Sequence, residues 1–168
     1  MASETISGKG NLSIIRKGME NLSSSDFVER RTNGADVRAG MVVGARGETD
    51  GSIDVDPSVT TDNAFVGIVI EPSIPIEGYE IGDALPDNTL IKVLRPTGGR
   101  CEVIVVVDTS PGHIDDGDKA VLSATAGQVT LWAYTDAASE TDTLEEFVGY
   151  FVDNVADVAE DRVRNIRY

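Results

Sequence analysis

Asp115, Asp116 and Asp118 flank Gly117, and Asp50, Asp54 and Asp56 form a second acidic cluster. Carboxylates at such spacing suit a hard cation such as Ca²⁺, which takes several oxygen ligands. Neither run carries the closing glutamate of the helix–loop–helix calcium motif. Aspartates beside glycine also shape turns by accepting backbone N–H bonds, and that role is expected here. His113 is the sole histidine, so the common zinc sites, which need several His or Cys ligands, have no ligand set. A Ser-His-acid triad would have to use this one residue, which lies in the turn Ser110-Pro-Gly-His113. Gly40, Gly44 and Gly47 have the wrong spacing for a phosphate loop, and no lysine follows them. Paired acids for glycoside hydrolysis do not stand out among 29 acidic residues, and one Trp is too few to line a sugar groove. No catalytic residue, metal site or cofactor is assigned.

The single cysteine, Cys101, permits no intrachain disulfide. It precedes Val103-Ile-Val-Val-Val107 and is expected as a buried structural thiol. The net charge of −15 disfavours direct contact with nucleic acid but allows contact with a basic protein surface. Four lysines against ten arginines, with 17 Asp against 12 Glu, suit a protein working in high salt, where screening weakens self-repulsion. No apolar run approaches a membrane span and no secretory segment is recognisable, so neither membrane contact nor export by a signal is expected.

The 168 residues suffice for one domain with a real core, or for a domain carrying an arm. Residues 1–33 are polar and dotted with glycine, and their apolar residues keep no period. They are expected to form an extended N-terminal arm. From residue 34 to 168 short apolar runs alternate with Gly, Pro and Asp turns. Strands are expected over Val37–Val43, around Ile53 and Val55, and over Phe65–Ile70, Leu90–Leu94, Arg100–Val107, Ala120–Leu122, Gln128–Trp132 and Leu144–Val152. The residues from Val155 suit a helix by composition, or else a final edge strand over Arg162–Tyr168, where Val163 is flanked by Arg162 and Arg164 in alternation. Gly98-Gly99 reads as a hairpin tip joining Leu90–Leu94 to Arg100–Val107. The class is all-β, an antiparallel β-barrel or β-sandwich.

Two stretches look like copies of one unit. Val37-Arg-Ala-Gly-Met-Val-Val43 leads to Phe65-Val-Gly-Ile-Val-Ile-Glu71, and Ile114-Asp-Asp-Gly-Asp-Lys-Ala-Val-Leu122 leads to Phe147-Val-Gly-Tyr-Phe-Val-Asp153. Gly40 aligns with Gly117 and Gly67 with Gly149, and a longer loop in the second copy absorbs the length difference. The repeat thus spans 37–71 and 114–153.

These phrases, Ala39-Gly-Met-Val-Val43 with Val66-Gly-Ile-Val69 and Gly117-Asp-Lys-Ala-Val121 with Val148-Gly-Tyr-Phe151, resemble those of capsid decoration proteins of tailed viruses, also called cement or head-stabilising proteins. The likeness covers about residues 35 to 155. It implies a β-barrel or β-tulip-like fold, a place on the outer surface of the virion, binding to the major capsid protein, a homo-oligomer such as a trimer, and no catalysis. The acidic, Lys-poor composition would suit a virus of salt-loving archaea.

The candidate interface residues follow from this reading. Leu12, Ile14 and Ile15 would dock the arm. Arg30 and Arg31 form a basic pair at its end, and Arg162, Arg164 and Arg167 would meet carboxylates of a partner or sister subunit. Trp132 is a candidate contact anchor. The alternative is a carbohydrate- or receptor-binding β-module of a tail or spike, using Trp132, Tyr134 and Asp136.

Overall fold

The structure is a computed structural model that describes residues 14–33, 36–49, 52–56, 65–107, 113–123, 125–131, 147–152 and 163–168. Among them are eleven strands. They are β1 (Ile15–Lys17), β2 (Phe27–Thr32), β3 (Val42–Thr49), β4 (Ser52–Asp56), β5 (Phe65–Pro72) and β6 (Leu90–Leu94). After them come β7 (Glu102–Val106), β8 (Lys119–Leu122), β9 (Val129–Leu131), β10 (Phe147–Phe151) and β11 (Val163–Arg167).

Alternation along β5 and β6 sets the first barrel. Val69, Ile91 and Val93 turn to one side and pack with Val37, Val43, Val55 and Leu85 in its interior. Ile68, Ile70 and Leu94 turn to the other side and join a second, larger core. The barrel closes in the order β2-β4-β3-β5-β6. It is mixed rather than wholly antiparallel, because β2 and β4 run parallel, with Arg31 opposite Asp54 and Thr32 opposite Val55. Closure leaves this barrel no free edge to template unwanted pairing.

The remaining strands form a sheet in the order β1-β7-β11-β10-β8-β9. A parallel bridge between Val107 and Val129 brings the β9 end of the run back to the end of β7. The run β7-β11-β10-β8-β9 therefore repeats the first barrel strand for strand. Each neighbouring pair has the same sense: β2–β6 and β7–β11, β5–β6 and β10–β11, β3–β5 and β8–β10, and β3–β4 and β8–β9 are all antiparallel.

The correspondence reaches single hydrogen bonds. Gly40 N donates to Val69 O at 2.8 Å and Val69 N to Met41 O at 2.9 Å, while Gly117 N donates to Phe151 O and Phe151 N to Asp118 O, both at 2.8 Å. Met41 N to Arg38 O (3.2 Å) matches Asp118 N to Asp115 O (3.1 Å). Gly40 (φ 86°) and Gly117 (φ 94°) hold the third position of these turns, where a type II turn needs positive φ and glycine adopts it without a Cβ clash. Gly67 pairs with Val43 and Gly149 with Ala120, so both aligned glycines occupy equivalent ladder positions. The duplicated unit extends well beyond the glycine phrases, from β2 to β6 and again from β7 to β11.

Three further sequence expectations change. Residues 14–33 are not set apart as an arm: β1 pairs with β7, and β2 pairs with β6 and β4 inside the barrel. Residues 1–13 lie outside the described residues. The expected hairpin between Leu90–Leu94 and Arg100–Val107 does not form. β6 pairs with β2 and β5, whereas β7 pairs with β1 and β11, so the Pro96–Gly99 segment carries the chain from one barrel to the next. Finally, Val37 is buried but precedes the turn, and the strand begins at Val42.

The two barrels share one core. Val42, Ile68, Ile70 and Leu94 of the first belong to one buried cluster with Val103, Ile104, Phe151 and Tyr168 of the second, together with Ile14 and Ile15. Backbone bonds seal the contact: Val106 N to Gly40 O (3.1 Å), Val42 N to Gly127 O (3.1 Å) and Ile104 N to Ile14 O (2.8 Å). The Tyr168 hydroxyl donates to Leu94 O at 3.0 Å, and burial pushes its pKa up. Cys101 is buried in the same core, and burial raises its thiol pKa.

Arg100 ties the crossover to the N-terminal segment. Its guanidinium donates to Asn21 O (2.9 Å), Thr97 O (2.9 Å) and the Asp26 carboxylate (3.2 Å), while Asp26 Oδ2 accepts from Ser23 N at 2.8 Å. The Arg100 hydrogen bond, then that from Ser23, lowers the Asp26 pKa from 3.8 to about 2. A depressed folded-state pKa means the unfolded chain takes up the proton first. The stabilisation from this carboxylate is present above pH 3.8 and is lost as pH falls through about 2. The melting-temperature gap between wild type and Asp26→Asn should therefore narrow across that window. A gap unchanged by acidification would contradict this assignment.

Candidate interaction surfaces

The described residues hold no group of three or more His, Cys, Asp or Glu side chains placed to bind a metal ion. Asp118 Oδ2 accepts from Asp115 N at 2.8 Å, so this aspartate shapes the turn around Gly117. Asp54 is buried on β4 and accepts from Asn33 Nδ2 at 3.2 Å. Asp50 and the side chain of Asp56 lie outside the described residues. His113 is exposed, and its Nε2 lies 2.9 Å from Asp115 Oδ1.

The candidate interface residues are scattered. Ile14 and Ile15 are 1% and 6% exposed and contact this chain's own core. Arg31 is half-buried on β2, and its Nη1 donates to Asn88 Oδ1 at 2.8 Å. Arg30 shares a strand face with Val28 and Thr32, and its Nη1 donates to Glu29 O at 2.8 Å. Its Nε is shut from solvent with no acceptor. Burial first, then the neighbouring Arg95, lowers the Arg30 pKa. The backbone of Arg164 and Arg167 lies in β11, beside β7 and β10, but their side chains are outside the described set. Leu12, Trp132, Tyr134, Asp136 and Arg162 are also outside it.

Sequence reasoning passed over two features. The first is an exposed aromatic pair on β10: Phe147 and Tyr150 are 36% and 43% exposed, with ring centroids 5.2 Å apart in an edge-to-face pose. Simple alternation would send residues three apart to opposite faces. A register shift between Phe147 and Gly149 leaves both rings exposed, and the glycine within the strand was the available signal.

The second is a groove of 540 Å³ beside the first barrel, lined by Ile14, Ile70, Pro72, Ile76, Tyr79 and Ile81. The Lys92–Glu71 ion pair, at 2.8 Å, borders it. The Tyr79 hydroxyl and the Ser73 hydroxyl are both buried there without a hydrogen-bond partner. Burial, then Asp83 and Glu71, pushes the Tyr79 pKa up to about 12.

No family model and no curated protein matches the chain. Among solved structures it is similar to the N base of the head fiber gp8.5 of bacteriophage phi29. The likeness covers 83% of this chain and 90% of that one, at 15% identity and a TM-score of 0.46. At that identity and score it carries no argument about role.

Proposed function

We propose that the chain is a non-catalytic structural protein of the virion surface, binding the major capsid protein on the outside of an icosahedral head. One observation carries this reading. The glycine phrases that resemble those of capsid decoration proteins take the same turn and the same ladder bonds in both barrels. They are thus recurring structural devices of this fold rather than chance strings. Many copies on one shell add their contacts, so each contact can be weak. The acidic surface suits solubility in high salt, and a homo-oligomer such as a trimer fits the reading.

A second reading, a carbohydrate- or receptor-binding module of a tail or spike, draws on the Phe147–Tyr150 pair. Exposed rings of this kind stack on sugars or on partner side chains. The test is sedimentation of purified protein with intact heads and, separately, with isolated tails. Binding to heads at fixed stoichiometry, with raised resistance of the heads to heating, is the expected result. Retention on tails or on an immobilised glycan, with none on heads, would select the second reading.

A further inference from the structure

The two barrels repeat one strand order, the second joined end to end by the single Val107–Val129 bridge and carrying β1 in addition, yet their mutual contact occurs once per chain. The first barrel contributes Val42, Ile68 and Leu94, which are successive cross-strand partners. The second contributes Ile104, Val106 and Tyr168. All six side chains are buried.

Register identifies the counterpart of each face. Lys119, Tyr150 and Arg167 are successive partners on β8, β10 and β11, at the places of Val42, Ile68 and Leu94. Phe27 opposite Leu94 matches Glu102 opposite Arg167, which sets Glu29 at the place of Ile104 and Arg31 at that of Val106. Arg95 N bonds to Asp26 O just as Tyr168 N bonds to Cys101 O, so Arg95 stands where Tyr168 does. The counterparts whose side chains are described are exposed or half-buried: Lys119, Tyr150, Glu29, Arg31 and Arg95. Each chain thus carries one donor face and one acceptor face that its internal contact leaves uncovered.

We infer that these uncovered faces dock on each other between copies of this chain, the first barrel of one copy against the second barrel of the next. Charge supports this occupant. Internally, Val106 N bonds to Gly40 O. The equivalent contact sets Arg31 of one copy at the Gly117 turn of the next, where Asp115 and Asp116 are exposed and Asp118 is half-buried. Arg31 Nε is shut from solvent with no acceptor among the described residues. Tyr150 and Phe147 lie beside the turn strand and offer ring faces to guanidinium groups. Where the internal contact is apolar, the external one is charged and aromatic, which keeps a free copy soluble and gives the contact its specificity. Such a head-to-tail interface is heterologous, and it closes into a ring if the rotation per step permits. A trimer closed in this way would alternate first and second barrels around its axis.

The test is the assembly state of the full chain by analytical ultracentrifugation at about 100 µM, near the weak end of specific protein contacts. A defined oligomer is expected. Arg31→Glu and Asp116→Arg should each weaken it about tenfold or more, and the double variant should restore it by exchanging the two charges. Tyr150→Ala should also weaken it, and circular dichroism melts check that each variant is folded. A monomeric wild type would overturn the inference. So would an oligomer indifferent to both charge reversals and to Tyr150→Ala, or a double variant no better than the singles. The readout uses no shell, so failure to bind heads and failure to self-associate are separate results.

Discussion

Gly67→Ala should lower the stability of the protein by about 3 kcal/mol, at the upper end of ordinary overpacking costs. A Cβ on Gly67 would stand 2.1 Å from the Leu94 carbonyl oxygen and 2.8 Å from Val93 Cγ1. The first of these is backbone, fixed in the ladder where Ile68 faces Leu94, so it cannot swing aside as a flexible side chain would. Relief requires parting β5 from β6, which breaks the wall of the first barrel and the core behind it. Gly117→Ala is the control. It meets no atom within 4 Å, but its φ of +94° is strained for any L side chain. Its cost should be about 1–2 kcal/mol, the conformational penalty alone. Urea or guanidinium midpoints at unchanged slope measure both. Equal losses for the two variants would refute the steric account of Gly67.

Phe151→Ala is the second large effect. Among the described residues Phe151 is the first in size of the fully buried side chains, and it lies in the core shared by the barrels. Truncation should cost about 3–5 kcal/mol through lost burial and the cavity left behind. For a chain of this length that is a drop of roughly 6–20 °C in melting temperature. Its counterpart in the first barrel is Val69, also fully buried, since Ile68 and Val69 face Leu94 and Val93 as Tyr150 and Phe151 face Arg167 and Ile166. Val69→Ala removes fewer atoms and should cost about 2 kcal/mol. Because one core spans both barrels, each variant should unfold in a single transition. Two separated transitions in Phe151→Ala would show that the barrels are independent units.

These predictions rest on features that were unequally visible in the chain. The all-β class followed from short apolar runs between turn residues, a local signal that each segment carries itself. The turns at Gly40 and Gly117 were legible too, because a position requiring positive φ selects glycine whatever the surroundings. The paired glycine phrases exposed part of the duplication for the same reason. β2, β6, β7 and β11 escaped it, because their equivalence is one of register, and their residues differ: Arg31 stands where Val106 does, and Leu94 where Arg167 does.

The failed hairpin at Gly98-Gly99 has the same cause. Both glycines have positive φ, 69° and 86°, as a hairpin tip would require, and nothing local distinguishes a tip from a crossover. The choice was made by closure: β6 completes the first barrel with β2 and β5, which leaves β7 to start the second.

Beyond residue 33 the sequence by itself determined where most strands and turns lie and which residues suit an interior, since propensity and periodicity act over a few residues; β1 and β2 escaped it. Tertiary structure alone decided which strands pair, that two barrels share a core, and that Phe147 and Tyr150 both stay exposed while Ile14 and Ile15 are buried. Those outcomes depend on partners far apart in the chain, and on register, where one shifted residue sends a side chain to the other face.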